Sequence, residues 1–206
     1  MIYLLRHGAI DTTSPRRFLG QSDPPLNQSG FDQARRLRAA LAAIPFARVV
    51  ASPLKRAMQT AILATGCSPG DIEPVPALRE IDLGAWEGLT VAEVQQRFPG
   101  GYEERGRDLA RYRPAKGESF ADLSDRALPA LLEIGRFTSG PILVVAHAGV
   151  NRVLLCHLLQ RPLAQLLDIP QEYACINILH RVDDTLQVRA INQSATLVNK
   201  SPSTAI

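Results

Sequence analysis

The sequence predicts an α/β layer sandwich whose central sheet is mostly parallel and carries an antiparallel edge. Three observations predict it. A short apolar strand pattern, a tight turn and a helical pattern follow one another repeatedly along the chain. The polar residues Arg6, Ser52 and His147 stand directly at the ends of three such strands. Finally, the chain carries two late strand patterns separated by Asp183 and Asp184, which read as an antiparallel pair joined by a turn.

The first strand is "MIYLLR", and Gly8 marks its end, so Arg6 and His7 fall at the strand terminus. "TTSPRRFLGQSDPPL" is a loop by its Pro, Gly and Ser content. In "NQSGFDQARRLRAALAAI", Phe31, Ala34, Leu37 and Leu41 recur at helical spacing. Asn27 is the expected N-cap, with Leu26 and Phe31 as the hydrophobic staple across it. "ARVVA" is a second buried strand. In the helix that follows, "SPLKRAMQTAILATG", Ser52 is expected to cap, Pro53 suits the first helical position and Gly66 the stop. Further on, Phe120, Leu123, Ala127, Leu131 and Ile134 trace a helix that Pro129 is expected to kink. Ile142 to Ala146 form a third strand, a turn holds His147 and Gly149, and an apolar helix follows. "YACINILHRV" and "TLQVRAIN" are the edge strands, and residues 196–206 read as a loose polar tail.

With 206 residues, 46% of them apolar and 21% charged, the chain is long enough for one domain, 1–206, with a full core. Its net charge of +3 is too weak to imply nucleic-acid or membrane partners, but it suits a small anionic substrate. Cys67, Cys156 and Cys175 form no CxxC pair and read as apolar filler in a reducing compartment. No signal-peptide pattern and no membrane-length apolar run is present, so a cytoplasmic protein is expected. The oligomeric state is left open, a homodimer included.

Residues at the carboxyl ends of parallel strands share one edge of the sheet, which is where ligands bind in open α/β folds. That places Arg6, His7, Ser52, Arg56, His147 and Gly149 together. Two of these turns open helices, whose free N–H groups attract anions. Arg56 in a first helical turn opposes the dipole, which an anion bridging both would explain. Guanidinium forks match phosphate oxygens, and a histidine among them can attack phosphorus to give a phosphohistidine. Such a reaction also needs an acid for the leaving alcohol. Among Glu80, Asp82 and Glu87 in "LREIDLGAWEG", Glu80 is selected, because it follows an apolar residue and Arg79 and is expected to point inward.

Taken together these segments resemble the histidine phosphatase superfamily, the phosphoglycerate mutase-like proteins, in its compact phosphatase branch. "LLRHG" resembles the nucleophile motif and "FLGQSDPPLNQSGFDQA" the loop and first helix. "VVASPLKRAMQTA" resembles the second arginine segment, "LREIDLGAWEG" the acid motif, "KGESFADLSDR" the helix after a PGGES-like turn, and "ILVVAHAGV" the second histidine motif. The resemblance implies a three-layer α/β/α sandwich. It implies His7 as nucleophile, Arg6 and Arg56 as phosphate clamps, His147 as stabiliser of the transferring group and Glu80 as proton donor. Metal and cofactor are not expected. The chain departs from the family at Ile10, Thr13 and Ala148, where relatives often carry a threonine, an asparagine and a glycine. Thr12, Thr13, Gly20, Gln21 and the Ala148 N–H are the candidates for the remaining substrate contacts.

Three other chemistries deserve comparison. Cys175 and Arg181 match the C-x5-R spacing of cysteine phosphatases, but the intervening residues alternate like a strand without a glycine. His7, His147, His157 and His180 lack compact metal-ligand spacing, and His157 and His180 read as a helix-face and a strand residue. A phosphoglycerate mutase-type phosphotransferase and a silent phosphate-binding module remain alternatives to the phosphatase. Residues 98–120 are expected to form part of a lid, whose Arg107, Arg111, Arg113 and Lys116 either meet a second anionic group or are solvated. α-Ribazole 5′-phosphate is the first substrate candidate, ahead of nucleotides, sugar phosphates and phosphoserine.

Overall fold

Buried strand residues whose neighbours are apolar on both sides belong to a sheet covered on both faces. The computed structural model, which describes residues 1–136, 139–183 and 185–198, shows this directly. Strand β1 (Ile2–Arg6) sends Ile2 and Leu4 into one core and Leu5 into another. Strand β4 (Ile142–Ala146) does the same, with Ile142, Val144 and Ala146 on one side and Leu143 and Val145 on the other. Two cores separated by one sheet make three layers, as the sequence predicts.

With β2 (Arg48–Ala51), β3 (Glu73–Pro74), β5 (Ile176–Val182) and β6 (Thr185–Gln193), the sheet runs β3-β2-β4-β1-β5-β6. The first four strands in that order are parallel, and β5 and β6 add the antiparallel edge. Register decides what meets at the ligand edge. Arg6 pairs with Ala146 and Ala51 with Val145, so His7, Ser52 and His147 emerge from adjacent strands at nearly one level. Because β5 is antiparallel, with Leu5 opposite Ile176, the residues that precede it arrive at that same edge.

On one face lie α1 (Gln28–Leu41) and α2 (Lys55–Thr65), and on the other α5 (Phe120–Arg136) and α6 (Ala148–Leu158). Asn27 caps α1 as expected, its Oδ1 accepting the Gly30 N–H at 2.9 Å, with Leu26 buried and Phe31 half-buried beside it. Gly66 closes α2 in the left-handed conformation, its N–H donating to the Ile62 carbonyl. The start of α2 differs from expectation. Leu54 is its N-cap, and the Ser52 hydroxyl, which meets His147 Nε2 at 2.7 Å, accepts the Leu54 N–H at 3.4 Å rather than one from within the helix. Asp23 Oδ1, from the loop, takes the Lys55 N–H at 2.7 Å instead. Helix α5 runs unbroken through Pro129, started by a Ser119–Asp122 capping pair.

Two short helices were not anticipated, α3 (Val91–Arg97) and α4 (Gly101–Arg107). The signal for α3 is legible in "TVAE": Thr90 and Glu93 form a capping box. Helix α4 falls inside 98–120, where Trp86 packs against Phe18, Tyr102 and Tyr112. Arg107, Arg111, Arg113 and Lys116 are all exposed, and Arg113 pairs through both ends of its guanidinium with Asp122. Asp184 and residues 199–206 of the expected tail lie outside the described residues. Among the described residues no helix is long and apolar enough to cross a membrane.

Candidate active site

The chain leaving β1 crosses the N-terminal end of α1 so closely that residue 8 must be glycine. A Cβ there would stand 2.8 Å from the Gly30 carbonyl oxygen. The crossing is fixed by the Gly8 N–H, which donates to Thr60 Oγ1 of α2 at 3.0 Å, while that hydroxyl donates to the Arg56 carbonyl at 2.7 Å. One threonine thus ties the nucleophile segment to the helix that carries the second arginine.

His7 is buried, and its Nδ1 stands 2.7 Å from the Gly8 carbonyl oxygen. Only an N–H can face a carbonyl at that distance, so Nδ1 carries the proton and Nε2 keeps its lone pair. The His147 ring centroid lies 5.1 Å away, and His147 Nε2 meets the Ser52 hydroxyl at 2.7 Å. Burial, reinforced by the charges of Arg56 and Arg6, holds the His7 imidazole well below its usual range. Burial again, then His7 and both arginines, lowers His147 in the same way. Both rings are neutral at physiological pH, which a nucleophile on phosphorus requires.

Arg56 is fully buried, its guanidinium donating to the carbonyls of Ser22 at 2.6 Å and Gly20 at 3.0 Å. That loop is in turn held by Glu87, which accepts from the N–H groups of Gln21, Ser22 and Leu83 and from the Ser22 hydroxyl. Glu87 is therefore a loop organiser. Asp82 spends Oδ1 on the Gly84 N–H. Glu80 differs from both. Its carboxylate reaches the first turn of α6, accepting the Gly149 N–H at 3.1 Å besides that of Ile81 at 3.0 Å. A Cβ on residue 149 would collide with Glu80 Oε1, so glycine there permits the approach.

Arg126 of α5, which the sequence reading did not single out, holds this acid segment. It donates to the carbonyls of Ala77, Arg79 and Glu80 and pairs with Glu118. Gln21 adds a side-chain bond to the Glu80 carbonyl at 3.2 Å. Gly20 and Gln21 thus shape the site through Arg56 and Glu80. Thr13 is exposed, its hydroxyl donating to the Pro15 carbonyl at 3.0 Å. Ala148 is the first residue of α6, where N–H groups have no acceptor within the helix.

Among the described residues, the buried side-chain nitrogens and oxygens without a partner are Arg6 Nε, Arg56 Nε, His147 Nδ1 and Asn151 Oδ1. Unsatisfied buried groups are rare, and their gathering around one sheet edge marks a functional site. Cys175 is no nucleophile by this geometry: burial pushes its thiol up to about 11, and it is followed by strand β5. Among the described residues no three His, Cys, Asp or Glu side chains converge to hold a metal ion.

The depressed histidines have a consequence for stability. An unfolded chain takes up a proton on each imidazole as pH falls through about 6.5, whereas the folded protein does so only at lower pH. The unfolded state then binds more protons, so stability falls with pH below that point, by up to about 1.4 kcal/mol per pH unit for each histidine. In phosphate-free urea titrations His147→Gln should remove about half of the His-linked slope between roughly pH 6 and 5. An unchanged slope would mean that His147 is protonated in the folded protein.

A model of the histidine phosphatase superfamily (branch 1) matches residues 2–194. A glucosyl-3-phosphoglycerate phosphatase of Mycolicibacterium vanbaalenii is 34% identical over 169 residues, covering 78% of this chain and 75% of its own. A 6-phosphofructo-2-kinase/fructose-2,6-bisphosphatase of Caenorhabditis elegans is 34% identical over 196 residues, 88% of this chain, which spans only 41% of that longer protein. The crystal structure of the α-ribazole phosphatase from Shigella flexneri superposes with a TM-score of 0.84 at 25% identity, over 93% of this chain and 96% of that one.

Proposed function

The chain belongs to branch 1 of the histidine phosphatase superfamily, and on that premise we propose that it hydrolyses a small phosphomonoester through a phosphohistidine at His7. The observation that carries this reading is the pair of buried, neutral imidazoles 5.1 Å apart, beside Arg6 at the end of β1 and Arg56 in the first turn of α2. His7 Nε2 attacks phosphorus, forming an N–P bond as the ester P–O bond breaks, and Glu80 gives its proton to the departing alcohol. Water then attacks the phosphohistidine, Glu80 takes up its proton, and phosphate leaves with His7 restored. Arg6, Arg56, His147 and the Ala148 N–H at the start of α6 hold the phosphoryl oxygens through both steps, since positioning and charge stabilisation dominate phosphoryl transfer. No step needs a metal or a cofactor.

α-Ribazole 5′-phosphate is the preferred substrate, supported by the structural likeness to the Shigella flexneri enzyme. Glucosyl-3-phosphoglycerate is the second, supported by sequence identity to the Mycolicibacterium vanbaalenii protein. The test is a panel of phosphomonoesters, both of these included, hydrolysed in EDTA and compared by kcat/KM. The preferred ester should exceed generic esters by at least about tenfold, the size of one good recognition contact. Equal rates across the panel would remove the preference, and phosphoryl exchange between phosphoglycerates without hydrolysis would move the reading to a mutase.

A further inference from the structure

Arg6 is held from a direction that the reaction scheme does not explain. Its Nη1 donates to the Gln171 carbonyl, and its guanidinium carbon lies 3.8 Å from the centre of the Tyr173 ring. That ring also flanks His7, with centroids 5.7 Å apart. The segment is zipped to the nucleophile by two backbone bonds, Arg6 N–H to the Cys175 carbonyl and Ala174 N–H to the His7 carbonyl, both 3.1 Å. Between Tyr173 and Cys175 the chain turns through Ala174 at φ +58, a left-handed conformation that an alanine adopts only against a steric cost.

Beneath the turn lies a buried amide network. Gln171 accepts from Asn151 Nδ2 at 2.9 Å and from Asn177 Nδ2 at 3.0 Å, and donates to Asn177 Oδ1 at 2.8 Å. Asn177 also donates to the Leu4 carbonyl of β1, two residues before Arg6. All three amides are nearly inaccessible to solvent. The Gln171 and Asn177 amides satisfy each other while Asn151 Oδ1 has no partner, so it is the reciprocal Gln171–Asn177 pair that fixes the conformation of the segment it supports.

Resting on the reading of Arg6 as a phosphate clamp, we infer that Tyr173, presented by this arm, is a positioning residue for Arg6. The ring covers one face of the guanidinium and the Gln171 carbonyl takes one edge, so the remaining N–H groups have a single direction in which to meet an anion. A flat cation stacked on an aromatic ring loses little freedom when it binds.

Binding of inorganic phosphate, followed by calorimetry and as competitive inhibition, tests this in five proteins: the natural chain, Tyr173→Phe, Tyr173→Leu, Arg6→Ala and Arg6→Ala with Tyr173→Leu. Tyr173→Leu is expected to weaken phosphate about tenfold and to raise KM more than it lowers kcat, whereas Tyr173→Phe should stay within about twofold. In the Arg6→Ala background Tyr173→Leu should add nothing. Tyr173→Met, also bulky but without a ring, serves if the leucine variant fails to fold. Binding unchanged in Tyr173→Leu, or an equal loss with and without Arg6, overturns the inference alone. A natural chain that binds no phosphate overturns the functional reading and this inference with it.

Discussion

Replacing His7 with alanine is expected to lower turnover by about four orders of magnitude, the scale seen when a covalent nucleophile is removed. Among the described residues, neither of the other nucleophilic groups beside the site is placed to replace it. The other imidazole, His147, has Nε2 engaged with Ser52 and a buried Nδ1, and Cys175 is a neutral, buried thiol. The folded protein should survive the change, because Thr60 still anchors Gly8, and β1 keeps its pairing with β4 and β5. His7→Asn is the companion variant, since its amide retains a donor near the position of Nδ1 for the Gly8 carbonyl and removes only the attacking nitrogen. Protein quenched in alkaline detergent should carry a base-stable, acid-labile phosphoryl group in the natural chain and none in either variant. A phosphoryl adduct that persists in His7→Ala would place the nucleophile elsewhere.

The depth to which the sequence was readable follows from the direction of each strand. Arg6, His7 and His147 are legible because each ends or directly follows a parallel strand, and Arg56 because it stands in the first turn of the helix after one; parallel strands deliver their carboxyl ends to one edge. Tyr173 and Gln171 are not, because they precede a strand, and only knowledge that β5 runs antiparallel to β1 brings them beside Arg6. The closing hairpin pattern carries that information, since a strand antiparallel to β1 begins at the edge where β1 ends. Ser52 was misassigned as a cap for a different reason. Capping preference is local, whereas its hydroxyl is claimed by a histidine 95 residues away, and a distant loop aspartate supplies the cap. Glu87 looked as acidic and as well placed as Glu80. Only the folded loop shows that its oxygens serve the turn that holds Arg56.

Glu80→Gln should cost about a hundredfold to a thousandfold in kcat/KM for an alkyl phosphate, within the range for loss of a general acid. The amide is nearly isosteric and keeps an acceptor oxygen for one of the two N–H groups, Ile81 and Gly149, that separate carboxylate oxygens take in the natural chain, while Arg126 and Gln21 continue to hold the residue 80 carbonyl. What it cannot do is hand a proton to an alkoxide. The size of the loss must therefore depend on the leaving group. p-Nitrophenolate leaves with little need of protonation, so its phosphate ester should lose less than about tenfold in the same variant. That contrast separates chemistry from architecture. If Glu80 served only to steady the start of α6, both esters would suffer alike, since each needs the same phosphate grip. Equal losses would thus reassign Glu80 to the scaffold, and an undiminished rate with the alkyl ester would require the proton to come from another group at this edge of the sheet.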